Sequence, residues 1–259
     1  MARFEMLEML QEVAQRIITP RFRSLAAGEV EEKRPGDYVT VADREAEWSI
    51  TDTLHRVFPE ALVVGEEAVF DNPALLAALP AAGHAFVVDP VDGTRNFVRG
   101  SPDHAVMVGE LVGGQAVRGW IWQPEHQRAF LAERGAGATC NGEPLPVLDR
   151  PVRPSLEASV AGITGLDSSL LARPVPSSSW CCGVDYPRVA TGDLDAVVYG
   201  SCNPWDHVAG AVLLRELGGV VRTLDGTDYR PGVTGHRLVV AGSEQVFGTV
   251  VQAVLGGHG

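Results

Sequence analysis

The chain has 259 residues, 21 basic and 33 acidic, giving a formal net charge of −12, with 45% hydrophobic residues and 29 glycines. It is long enough to bury a sizeable core, and its acidic balance without basic runs excludes nucleic acid and anionic membrane as partners on electrostatic grounds. No apolar run approaches the roughly 18 residues that span a bilayer, and the N-terminus lacks the basic, apolar, small-residue order of a signal peptide.

Phe4, Leu7, Leu10, Ala14, Ile17 and Ile18 recur at helical spacing until Pro20, which predicts an amphipathic helix. Residues 24 to 36 are polar and end in Arg34-Pro35-Gly36, a loop pattern. A second helix is expected from near Thr40, with Ala46, Ile50, Leu54 and Val57 on its buried face. Thr40-x-x-Asp43 has the form of a capping box, with Asp where Glu is usual. Ala61 to Val64 reads as a strand, residues 71 to 82 as a short helix, and His84 to Val88 as a buried strand that Pro90 stops. Ala105 to Val112, Ala116 to Trp122 and Arg128 to Glu133 read as an antiparallel meander turning at Gly113-Gly114. In the second half, Leu156 to Ile163, Ala196 to Tyr199, Val220 to Thr223 and Leu238 to Ala241 read as strands. Tyr186 to Thr191, Trp205 to Leu217 and Glu244 to Leu255 read as helices. The chain thus divides into an α+β half, residues 1–145, and an α/β half, residues 146–259, at the proline-rich stretch Pro146 to Pro154.

The chemistry gathers at Asp89-Pro-Val-Asp-Gly-Thr-Arg-Asn-Phe97. Asp89 and Asp92 end the strand, Gly93 permits a tight turn, and the residues from Thr94 onward start a helix whose orphan N–H groups attract phosphate. Taken alone, the two acids read as caps of that helix. Glu66, at the end of the preceding strand, and Asp206, in the first turn of a later helix, add two more carboxylates. Four acids without cations would repel one another and their pKa values would rise. Hard oxygen ligands of this kind suit magnesium. Asp206 also complements its helix dipole. Glu67 reads either as a group orienting a water or as a solvated neighbour, and Thr94 either as a cap or as a partner of the nucleophile. His104 and His207 lack metal-ligand spacing and read as surface or polar-core residues. Trp205 reads as a wedge beneath the acids, and Arg95 as an exposed residue facing substrate or water. Cys140, Cys181, Cys182 and Cys202 form no Cys-x-x-Cys pair, which points to reduced thiols in a cytoplasmic protein.

Together with Asp37-Tyr-Val-Thr-Val-Ala-Asp43 and Gly135-Ala-Gly-Ala-Thr-Cys-Asn-Gly142, these stretches resemble, in order, the motifs of the inositol monophosphatase family. Its members are magnesium-dependent, lithium-sensitive phosphatases related to fructose-1,6-bisphosphatase. The resemblance runs from about residue 37 to the C-terminal helix. It implies a layered αβαβα sandwich with the site between the halves, a homodimer, and roughly two to three Mg²⁺ ions per site. By the family pattern Glu66, Asp89, the Val91 carbonyl, Asp92 and Asp206 hold the metals. Asp43 with Thr94 activates the nucleophile, Glu67 assists, and the N–H groups of Gly93 and Thr94 hold the phosphoryl oxygens.

The alcohol side departs from the inositol-specific pattern. A Gly-Ser/Thr-Ala stretch is replaced by Trp180-Cys181-Cys182, and a glutamate seven residues before the Trp-Asp aspartate is replaced by Tyr199. Asp92, Trp180, Cys182 and Tyr199 are therefore the expected substrate-side residues. A tyrosine cannot accept from two vicinal hydroxyls as a carboxylate can. The expected function is hydrolysis of a small polyol, sugar or amino-alcohol phosphate. Histidinol-phosphate phosphatase is the alternative, a nucleotide 3′-phosphatase is disfavoured by chain length, and a non-enzymatic binding role is disfavoured because every ligand position is filled.

Overall fold

The computed structural model describes residues 3–148, 161–164, 178–232 and 237–255. The N-terminal periodicity forms α1 (Arg3–Val13), which continues through a π-helical turn at Ala14–Ile18 and ends in a 3₁₀ turn holding Pro20. The polar stretch expected as loop is instead a hairpin, β1 (Val30–Arg34) and β2 (Asp37–Thr40), turning at Pro35-Gly36. Its first strand is mostly solvent-facing, so it carries no apolar alternation from which a strand could be read.

Thr40 then caps α2 (Val41–Val57) through the expected capping box with Asp43. Val57, expected on the buried face, is exposed at the helix end. β3 (Leu62–Gly65) leads directly into the short α3 (Glu66–Asp71), followed by α4 (Ala74–Ala78). β4 (His84–Asp92) does not stop at Pro90. The ladder to the next strand is broken between Asp89 and Asp92, and a bulge of this kind accommodates a residue without an N–H. After the one-turn α5 (Thr94–Val98) come β5 (Ala105–Val112), β6 (Gln115–Gln123), β7 (Arg128–Glu133), β8 (Gly137–Cys140) and β9 (Glu143–Pro144).

Strands β3 to β9 form a seven-stranded sheet in sequence order, parallel only between β3 and β4. The second half supplies β10 (Ala161–Thr164), α6 (Cys182–Thr191), β11 (Ala196–Tyr199), α7 (Pro204–Glu216), β12 (Val220–Thr223), β13 (Leu238–Ala241) and α8 (Glu244–Leu255). Residues 156–160 of the strand expected there lie outside the described residues. The four strands form a second sheet in the order β10-β11-β13-β12.

Alternation assigns the two faces of the large sheet. Phe86, Val88, Val106, Val108, Trp120 and Leu131 pack with Leu10, Ile50 and Leu54 of α1 and α2. Their neighbours Val87, Met107, Ile121 and Phe130 pack with Tyr186, Val208 and Leu213 of α6 and α7, and with Val197 and Val240 of the small sheet. Val198 and Val239, on the small sheet's other face, meet Val246 and Val250 of α8. Helices thus lie outside both sheets and between them, the expected αβαβα sandwich. The inner core is continuous from the first half of the chain to the second.

Candidate active site

The corner between β4 and α5 is built on Gly93. Its φ is +83°, and a Cβ there would stand 2.9 Å from the Asp103 carbonyl oxygen, so only glycine fits without displacement of backbone. The turn puts Asp89, Asp92 and Thr94 side by side. Asp89 Oδ1 accepts the Val91 N–H at 3.1 Å. Asp92 Oδ2 accepts from Cys181 Sγ at 3.0 Å and from the Gly183 N–H, which ties β4 to the start of α6.

Thr94 Oγ1 lies 3.1 Å from Asp43 Oδ1 and 3.0 Å from the Val91 carbonyl. Asp43 Oδ2 at the same time accepts the Thr40 N–H at 2.8 Å and the Thr40 hydroxyl. The capping role and the contact with Thr94 are therefore not alternatives, because one carboxylate uses a different oxygen for each.

A second corner joins β3 to α3. Glu66 and Glu67 receive Lys33 Nζ at 3.0 and 2.9 Å. Glu67 is 8% exposed and ion-paired, so it is not the solvated neighbour that was one of its two expected roles. The Glu67 and Ala68 N–H groups both donate to Glu47 at 2.8 Å. This works only because residue 65 is glycine. A Cβ there would lie 2.2 Å from Glu47 Cδ.

Neither Lys33 nor Glu47 was among the expected site residues. Glu47 left a signal: it follows Asp43 by one turn, within the buried stripe Ala42, Asp43, Ala46, Glu47, Ile50 and Leu54. An unpaired acid at a core position calls for a partner. Lys33 sits in a polar hairpin that gave no such signal.

The third contributor is Asp206, in the first turn of α7, with Asn203 Nδ2 donating to its Oδ2 at 3.2 Å. Glu66, Asp89, Asp92, Asp206, Gly93 and Thr94 line one cleft of about 240 Å³ together with Gly36, Asp37, Tyr38, Arg95 and Trp180, of which Trp180 is exposed at its mouth. A larger hollow of about 640 Å³ lies between α1 and α2, and it holds none of the paired groups described above.

Enclosure raises the carboxyl pKa values of the cleft. Burial, then the charges of Glu66, Asp92 and Asp206, hold Asp89 well above its ordinary range. Glu66 is raised by burial and then by Asp206 and Glu67, against the pull of Lys33. Asp206 is pushed up to about 7 by burial and Asp92, and Asp43 up to about 6, chiefly by burial. Among the described residues, no three His, Cys, Asp or Glu side chains stand close enough to hold an ion as placed. The donors are gathered rather than closed into a cage, with Lys33 neutralising part of their charge. All are hard oxygens, and their mutual repulsion is the condition a divalent cation relieves.

Two expected substrate-side residues are placed elsewhere. Tyr199 is buried, stacked on Tyr186 at 5.9 Å and edge-on to His207 at 4.9 Å. Cys182 is buried as well, and neither lines the cleft. The strand alternation that points residue 199 inward could not be fixed from sequence without the register of β11. Trp180 is at the mouth. Arg95, expected as exposed, is half-buried, with its guanidinium over the Trp180 ring at 5.3 Å and donating to the Gly36 carbonyl at 3.0 Å. His104 and His207 are polar-core residues, each lowered to about 4 by burial. Trp205 is buried in the inner core. The four cysteines are free thiols.

Residues 3–255 match the inositol monophosphatase family. The chain is 32% identical over 241 residues to the Nus factor SuhB of Pseudomonas aeruginosa, spanning 87% of this chain and 85% of that protein. It is 30% identical over 234 residues to the inositol-1-monophosphatase of Bacillus subtilis, spanning 85% and 84%. In three dimensions it resembles the extragenic suppressor protein suhB of Bartonella henselae, with a TM-score of 0.79, 27% identity and 97% of each chain covered. With the acidic cleft at the end of the large sheet, and a match over nearly its whole length, the chain belongs to the inositol monophosphatase family of phosphoric monoester hydrolases.

Proposed function

We propose that the protein is a Mg²⁺-dependent phosphomonoesterase acting on a small polyol, sugar or amino-alcohol phosphate. The observation that carries this reading is the gathering of Glu66, Asp89, Asp92 and Asp206 around one cleft beside Thr94. Glu66, Asp89, the Val91 carbonyl, Asp92 and Asp206 would hold roughly two to three Mg²⁺ ions, by small side-chain movements from their present positions. Bound Mg²⁺ supplies charge neutralisation for a phosphoryl group and lowers the pKa of an attacking water.

The remaining work falls to the chain itself. Thr94, donating to Asp43, keeps its hydroxyl lone pairs for a water, and Asp43 is a proton acceptor of suitable strength, raised to about 6. Glu67, held by Lys33, is next to Glu66 but does not line the cleft, so its part in orienting that water would be exerted through Lys33 and Glu66. We assign the N–H groups of Gly93 and Thr94, at the start of α5, to the phosphoryl oxygens. Asp92, tied to Cys181 and Gly183 at the start of α6, is the acid we assign to the alcohol side. We propose that the chain works as 1–145 and 146–259 halves that both contribute to the cleft, and that it is a cytoplasmic homodimer inhibited by Li⁺.

Histidinol phosphate is a second reading, and the ring of Trp180 at the mouth favours it. A phosphate-release panel tests both. Purified protein would be given inositol 1-phosphate, glycerol phosphate, sugar phosphates, histidinol phosphate and nucleoside monophosphates, with Mg²⁺ or with excess chelator. Release that requires Mg²⁺ supports the proposal. Release undiminished in chelator, or none from any ester, contradicts it.

A further inference from the structure

Trp180 is 47% exposed at the cleft mouth, and its backbone φ is +60°. A left-handed conformation is strained for a non-glycine residue. A large side chain left half in solvent regains little of that through burial. Single exposed aromatic residues are ordinary, but this one is pinned in place. Its N–H donates to Ser178 Oγ at 3.1 Å. Ser179 donates twice to Asp185 of α6, and its carbonyl accepts from Asn96 Nδ2 at 2.7 Å. The loop is thus tied to both α5 and α6, with a strained Trp between.

Arg95 completes the arrangement. Its guanidinium lies over the indole at 5.3 Å and is itself held by the Gly36 carbonyl. The indole therefore has a cation beside it, fixed by the turn of the β1–β2 hairpin, while much of its surface remains open. Trp180 and Arg95 both line the cleft that contains Glu66, Asp89 and Asp206.

We propose that Trp180, braced by Arg95, is a stacking platform for the alcohol half of the substrate. The preferred esters are then those whose alcohol carries a flat heteroaromatic ring, an imidazole or a nucleobase, rather than a saturated polyol. This rests on the phosphatase reading above, favours its histidinol-phosphate form over its polyol form, and adds nucleobase esters to it. Stacking of a flat ring on an aromatic side chain strengthens binding by roughly 10-fold or more, and the guanidinium over the indole holds the platform in place. A saturated polyol has no flat π face to stack, meets an indole only through C–H contacts, and depends more on hydrogen-bond acceptors. Tyr199, which replaces the glutamate expected to accept from such hydroxyls, is buried away from the cleft.

The test compares kcat/KM of the wild type, Trp180→Phe and Trp180→Gly on four esters: histidinol phosphate, a nucleoside monophosphate, glycerol phosphate and inositol 1-phosphate. Trp180→Gly also removes the backbone strain, so its melting temperature should equal or exceed that of the wild type. The expected result is a loss in Trp180→Gly at least about 10-fold larger for a ring-bearing ester than for glycerol phosphate, carried mainly by KM. Trp180→Phe should restore most of it. The ring-bearing ester that loses more identifies the source of the ring. An equal loss across all four esters, or none, overturns the platform. If the wild type hydrolyses no ester, the phosphatase reading fails. Calorimetric binding of the same esters to wild type and Trp180→Gly then decides the platform alone: selective loss of ring-bearing ligands supports it, and equal binding or no binding overturns it.

Discussion

The Glu47 carboxylate accepts the backbone N–H of Glu67 at 2.8 Å, and that of Ala68 at the same distance. One turn earlier on the same helix, Asp43 meets Thr94. A single face of α2 therefore fixes both corners of the cleft, α3 through Glu47 and α5 through Asp43. The relative placement of Glu66 and Asp89 depends on this helix as much as on the strands that carry them.

Glu47→Ala should therefore damage both stability and metal affinity. It strands two N–H groups at a buried helix start, at a cost of roughly 1–3 kcal/mol, and frees the segment bearing Glu66. Glu47→Gln, which keeps one acceptor oxygen, should be milder. Gly65→Ala should act in the same direction, because its Cβ would collide with the Glu47 carboxyl. Urea denaturation and calorimetric Mg²⁺ titration check this. Wild-type values in Glu47→Ala for both would show that the cap is dispensable.

Asp43 and Thr94 should separate by what each loses. Thr94→Ala removes the proposed contact to the nucleophile but leaves the Thr40–Asp43 capping box in place, so kcat should fall by about 100-fold or more with a change in stability below about 1 kcal/mol. Asp43→Ala removes the cap as well, and should lower kcat and also cost about 1 kcal/mol or more in stability. Steady-state kinetics beside thermal melts distinguish the two. A Thr94→Ala enzyme affected only in KM would contradict the role in nucleophile positioning.

The pH dependence of stability follows from the raised carboxyl groups. Asp43 lies at about 6 and Glu47 at about 7, each raised chiefly by burial. A carboxyl group whose folded value is raised binds its proton more tightly in the folded state, so stability falls as pH rises from the ordinary carboxylate range through those values. Asp89, Glu66 and Asp206 carry the same sign. In chelator, the protein should be more stable near about pH 5 than near about pH 8, with a loss over that interval of about 1.5 kcal/mol from Asp43 and about 2.5 kcal/mol from Glu47. Mg²⁺ should flatten the slope by favouring the ionised carboxylates. A urea midpoint in chelator that climbs with pH over this range would contradict the assignment.

Much of the architecture was legible because its signals are local. The strands β5, β7, β11, β12 and β13 and the helix α8 fall where alternation and periodicity put them. The acids at Glu66, Asp89, Asp92 and Asp206 were legible because each closes an apolar run or opens a helix. What escaped depends on contacts distant in sequence. The β1–β2 hairpin is held by pairing rather than by an apolar face. Lys33 reaches Glu66 and Glu67 across more than thirty positions. Tyr199 turns into the core because of the register of β11 against β13, and alternation in a strand buried on both faces gives no direction. Pro90 misled because a bulge lets the strand pass through it.

Asp89 is the acid on which the other three converge electrostatically, and Asp89→Asn is therefore the most direct test of a metal-dependent phosphatase site. Phosphate release and melting temperature would be measured for wild type and variant, each in Mg²⁺ and in excess chelator. The expected wild type releases phosphate only with Mg²⁺, and its melting temperature rises when Mg²⁺ is added. The expected variant, relieved of one buried charge, melts no lower than the wild type in chelator, gains little from Mg²⁺, and loses about 100-fold or more in turnover. Wild-type turnover in Asp89→Asn, or wild-type release undiminished in chelator, would contradict the metal site.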